Sequence, residues 1–69
     1  MIYRSYAEDG RELTIWELPN GQFAATAWDP HSGEMFLPRH PMPPMDRPEE
    51  AQAALDAYAE KHSLLRWEM

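Results

Sequence analysis

Apolar and polar positions alternate through the first thirty residues, and the repeat becomes helical only near the end of the chain. Residues 2–7, 11–18 and 22–28 each show the period of two that a β-strand with inward and outward faces requires. Asp9-Gly10 and Asn20-Gly21 separate these runs. Both pairs suit a two-residue type I′ turn, whose central positions need positive φ. The pattern therefore predicts a three-stranded antiparallel meander. Asp29-Pro30-His31-Ser32-Gly33 is a further turn, after which residues 34–37 supply a short fourth strand.

Two-residue turns make Tyr6 oppose Leu13, Arg4 oppose Ile15 and Tyr3 oppose Trp16. Across the second hairpin, Leu18 opposes Phe23, Trp16 opposes Ala25 and Leu13 opposes Trp28. Alternation then puts Tyr3, Trp16, Leu18, Phe23, Ala25 and Ala27 on one face, and Ile2, Tyr6, Leu13, Ile15 and Trp28 on the other. A slip of one residue in either hairpin exchanges the faces of one strand. On this register both faces are apolar, and one helix shields only one of them.

His40-Pro41-Met42-Pro43-Pro44-Met45 excludes regular helix and central strand, because each proline lacks an N–H and fixes φ. An extended connector follows, anchored on the sheet edge by Met42 and Met45. Beyond it, Asp46 is the expected N-cap, with Pro48 in the first turn and Glu49 completing an acidic capping box. Ala51, Leu55, Tyr58 and His62 form the apolar line of the helix, widened by Ala54 and Ala59; Gln52, Asp56 and Glu60 make the opposite face wet. The final residues 64–69 are apolar enough to return as an edge strand, continue the helix or lie across the second sheet face. The polar Lys61-His62-Ser63 break favours the strand.

Length and composition fit this picture. A chain of 69 residues that is 43% hydrophobic makes one small domain, residues 1–69, of the α+β class. Its architecture is a three- to four-stranded antiparallel β-meander packed against one C-terminal α-helix, with a short terminal strand as an optional addition. Cysteine is absent, so no disulfide or thiolate site reinforces the core, and a cytoplasmic location is the expectation. The amino terminus lacks the basic and apolar segments of a secretory signal. No run approaches the roughly 20 apolar residues that cross a bilayer, so membrane partnership is not expected. Twelve acidic against six basic side chains give a net charge of −6, which opposes attraction to phosphates and anionic lipid.

Little catalytic chemistry is encoded. Asp29, His31, Glu34 and His40 match no recurrent metal-ligand spacing. Ser32 beside His31 lacks an orienting group and an oxyanion site, and Asp29 with Glu34 flanks a turn rather than a cleft. Gly10, Gly21 and Gly33 are too far apart for a phosphate-binding loop. The expectation is a non-enzymatic domain with no cofactor and no metal.

A sheet followed by a helix, carried here by residues 2–58 with Asp9-Gly10 and a helix over residues 48–58, resembles the arm-site DNA-binding domains of some phage integrases. That resemblance implies a sheet face entering a DNA groove, with Arg4 and Arg11 as the basic side chains beside its aromatics. Nucleic acid is the alternative partner, disfavoured by the acidic balance. The preferred reading is noncovalent recognition of protein through an aromatic sheet face, by homodimerisation or with another protein. Its candidate residues are Tyr6, Leu13, Ile15, Trp28 and, on the terminal segment, Trp67.

Overall fold

The computed structural model describes residues 3–67. Four strands, β1 (Tyr6–Glu8), β2 (Arg11–Glu17), β3 (Phe23–Trp28) and β4 (Met35–Phe36), form an antiparallel sheet in the order β1-β2-β3-β4. One helix, α1 (Pro48–Lys61), packs against it. The fold is thus the small α+β meander that the alternation predicts. The expectations that fall on Ile2 and on residues 68–69 lie outside the described residues.

The first hairpin keeps the expected register at Tyr6 opposite Leu13 and continues to Glu8 opposite Arg11. The expected pairs of Arg4 with Ile15 and Tyr3 with Trp16 form no ladder, because β1 begins at Tyr6 and the Arg4 backbone bonds to Gln52 instead. Asp9 and Gly10 have φ of 53° and 77°, the two positive values of a type I′ turn. The second hairpin differs by one residue. Its loop is Pro19-Asn20-Gly21, closed by Gly21 N–H donating to the Leu18 carbonyl (2.9 Å) and Leu18 N–H donating to the Gln22 carbonyl (2.7 Å). Only Gly21 has positive φ here, at 87°. This is a type I turn followed by a left-handed residue, the usual three-residue hairpin loop. Pro19 explains it: its ring fixes φ for the first turn position and it has no N–H to give a strand ladder.

That single residue rearranges both faces. Ile15 lies opposite Ala25 and Leu13 opposite Ala27, whereas Trp16 faces Ala24 and Glu12 faces Trp28. Phe23, Ala25 and Ala27 therefore join Tyr6, Leu13 and Ile15 beneath α1, in place of the expected separation of these two sets. Trp28 moves to the face that carries Trp16. The buried cluster consists of Leu13, Ile15, Ala25, Ala27, Ala51, Leu55 and Tyr58, with Leu13 and Leu55 fully enclosed. Small alanines on β3 and α1 let the helix approach the sheet closely.

The helix begins one residue later than its capping signal suggests. Arg47, not Asp46, is the N-cap, extended at φ −127° and ψ 144°, and no side chain caps the helix. Pro48 accounts for this, since it excludes the helical region for the residue before it and suits the first helical position. Asp46 instead accepts a hydrogen bond from Gln22 Nε2 at 3.1 Å. The connector packs as expected: Met42 and Met45 lie against the core, and Met45 exchanges backbone hydrogen bonds with Phe23 (2.7 and 2.8 Å) along the outer edge of β3.

Past Lys61 the chain turns sharply. Ser63 adopts φ 56°. Its N–H reaches the Glu60 carbonyl at 3.3 Å, and Leu64 N–H reaches Ala59 at 2.9 Å. These paired bonds form a left-handed helix cap, in a position that glycine usually fills. Leu64 then packs on the core, and the following residues run antiparallel to β1 through a bridge between Tyr6 and Arg66. The terminal segment thus returns beside the sheet edge, one bridge long.

Candidate interaction surface

Strand alternation places Ala7, Glu12, Thr14, Trp16, Ala24, Thr26, Trp28 and Met35 on the side of the sheet away from α1. The bridge at Arg66 extends the same logic to the terminal segment. Arg66 shares the side of Tyr6, where its guanidinium lies 6.0 Å from the tyrosine ring, so Leu65 and Trp67 fall on the open side. All three tryptophans of the chain consequently belong to one face. Trp16 and Met35 are about half exposed, and Leu37 and Leu65 at its margins are more so. The face is not uniformly apolar, because Thr14, Thr26 and Glu12 stand between the rings. Thr26 Oγ1 and Trp67 Nε1 are nonetheless covered, and make no hydrogen bond among the described residues.

The five residues expected to meet a partner separate into two groups. Trp28 and Trp67 lie on the open side. Leu13 and Ile15 lie in the core under α1, where no partner reaches them without displacing the helix. Tyr6 also faces α1, with its hydroxyl donating to Asp56 Oδ1 at 2.7 Å. Trp16, which the expected register set on the face opposite these candidates, and Met35 and Leu65, which it left unassigned, complete the surface. Pro19 was the available signal for Trp16, since a proline flanking Asn20-Gly21 argues for the longer loop.

Polar side chains tie the N-terminal segment to the helix. Gln52, expected on the wet face, is buried: its Oε1 accepts from Arg4 N–H (2.9 Å) and its Nε2 donates to the Arg4 carbonyl (3.2 Å) and to Asp56 (3.0 Å). Arg4 forms an ion pair with Asp56. The guanidinium, opposed by partial desolvation, holds the Asp56 carboxyl down at about 2, with the Tyr6 and Gln52 donors adding to the effect. The same carboxylate raises the Tyr6 hydroxyl above its ordinary value. Two residues further along the helix, burial and the Glu8 carboxylate push Tyr58 up to about 12. Its hydroxyl donates to Glu8 and accepts from His40 N–H, while His40 and His62 stack with ring centroids 4.8 Å apart.

Neither arginine of the nucleic-acid reading lies on the open face. Arg4 is paired with Asp56, and Arg11 covers the Phe36 ring at 3.8 Å on the helix side of the sheet. The polar turn residues likewise stay local. Asp29 Oδ1 accepts from the N–H groups of His31 (2.8 Å) and Ser32 (3.4 Å), and these backbone donors lower its pKa, the His31 bond foremost. His40 sits instead with Tyr58 and His62. Among the described residues no group of histidines and carboxylates is arranged to hold a metal ion, and no cavity encloses a small ligand. The chain matches no protein-family model, no curated protein and no solved structure.

Proposed function

We propose that this chain is a small non-enzymatic protein-interaction domain that forms a homodimer through its open sheet face. The observation that carries the reading is that Trp16, Trp28 and Trp67 all fall on the side that α1 leaves uncovered, with Trp16 about half exposed and the other two half-buried. Tryptophan is enriched at the centres of interfaces because its large rigid ring brings apolar area at little entropic cost. Exposures of 46% for Trp16, 45% for Met35, 73% for Leu37 and 79% for Leu65 correspond to roughly 500 Å² of apolar side chain, taking roughly 150–250 Å² for each large residue. Two such faces bury about 1,000 Å² in total, at the small end of specific interfaces. The reading takes a transient dimer with a dissociation constant of roughly 10–1,000 µM, the range over which it is tested.

Sedimentation equilibrium over that range tests the reading. The parent chain is expected to dimerise, and Trp28→Ser to weaken the dimer by about tenfold, or about 1.4 kcal/mol, with the helical circular dichroism retained. Trp16→Ser serves as the second variant should Trp28→Ser disturb the fold. A parent chain that stays monomeric up to millimolar concentration rejects the proposal.

A further inference from the structure

We infer that the C-terminal segment exchanges between two copies of this chain, residues 64–67 of one lying beside β1 of the other. The inference rests on the self-association reading and adds how the two copies are joined. Apart from the cap bond of Leu64 N–H to Ala59, which opening the hinge releases, the contacts that hold the segment are made to β1 and the core, which a second copy presents identically. Ala7 N–H donates to the Leu65 carbonyl and Trp67 N–H to the Ser5 carbonyl, both at 2.9 Å, and Leu64 packs on the core. One bridge, Tyr6 with Arg66, joins the segment to β1. Leu65 projects almost freely into solvent.

The hinge favours exchange. Only His62 and Ser63 separate the helix from Leu64, and Ser63 holds φ 56°, where its Cβ crowds the backbone. A short strained hinge invites swapping: opening it relieves the strain, while the pairing contacts are recovered on the partner. The exchange also has a consequence for the open face. The partner's Trp67, set opposite Ser5 on the far side of β1 from Trp16 and Trp28, then joins the open face, so each interaction surface is built from two chains.

The absence of cysteine in the native sequence makes a direct test available. Ala7→Cys combined with Leu65→Cys places thiols on the opposed pair one step from the Tyr6–Arg66 bridge, the only thiols in the sequence. Mild oxidation at concentrations where the chain dimerises is expected to give mainly interchain-linked dimers on non-reducing gels, passing to intrachain-linked monomers on dilution. Adding Ser63→Gly, which removes the strain, is expected to raise the intrachain share at least about fivefold. Isotope-filtered nuclear Overhauser spectra of a mixed-label sample give a second readout that needs no thiols: a Ser5–Trp67 contact between chains supports the exchange, and one found only within chains overturns it. A dimer in sedimentation whose links are all intrachain overturns the exchange and leaves the sheet-face dimer standing. A chain that never dimerises defeats both.

Discussion

Asp56 accepts hydrogen bonds from Arg4, Tyr6 and Gln52, and so fastens the N-terminal segment to the middle of the helix. Its carboxyl is held at about 2, against an ordinary 3.8. A depressed folded-state value means that the charged form is favoured by folding. The contribution is therefore complete above about pH 4, where the unfolded carboxyl is also ionised, and is lost as pH falls through about 2. Solvent reaches both partners of the ion pair, so the contribution is about 1 kcal/mol rather than the full linkage value. Urea unfolding followed between pH 4 and pH 2 should show the parent losing about 1 kcal/mol more than Asp56→Asn. Equal acid losses in the two proteins would remove Asp56 from this role. Gln52 was not legible as a core residue, because helical periodicity gives a glutamine no reason to face inward. Its partners are the backbone groups of Arg4, just ahead of β1, and the carboxylate of Asp56 one turn on, and the first two come from a distant part of the chain.

At the scale of elements, the turns decide which parts of the fold the pattern reveals. Asp9-Gly10 takes the two-residue turn that its sequence suggests, so the register of the first hairpin was legible, although its first strand is confined to Tyr6–Glu8 and leaves Tyr3 and Arg4 outside the ladder. Asn20-Gly21 has the same form, but Pro19 before it adds a position to the loop. The alternation of β3 was therefore read correctly in period and assigned to the wrong side. Helix, meander and packed connector followed from local signals, whereas the membership of each face depended on one loop residue. Deleting Pro19 shortens the loop to a two-residue Asn-Gly turn while keeping Leu18 opposite Gln22. The register of β2 and β3 is thus expected to survive, with Ile15 still opposite Ala25. Cross-strand nuclear Overhauser contacts between those residues check this; contacts shifted by one residue would show that the proline does not set the pairing.

For the whole molecule, the distribution of charge matters as much as that of apolar surface. The chain carries a net −6, yet the strand residues of the open face include a single ionisable group, Glu12. Acidic side chains cluster elsewhere, including Glu49 and Glu50 in the first turn of α1. Two copies that meet through the open face repel at long range and attract at contact. Raising ionic strength from about 0.05 to 0.5 M shortens the screening length from roughly 14 Å to 4 Å, and is expected to strengthen self-association severalfold. Binding to a DNA duplex has the opposite dependence, since it releases counterions. Association that weakens as salt is added would contradict a contact dominated by apolar burial. Sedimentation at the two salt concentrations distinguishes the cases.

The outer margin of β3 is occupied at both ends, by Met35 and Phe36 of β4 near Trp28 and by Met45 near Phe23. Pro41, Pro43 and Pro44 lie in the stretch between, with no amide hydrogen to offer an incoming strand. Ribbon-to-ribbon growth is disfavoured along that border, and the terminal segment bonded to Ala7 and Ser5 dresses the β1 flank in the same way. With both flanks already engaged, so small a sheet offers little template for strand-by-strand stacking into fibres.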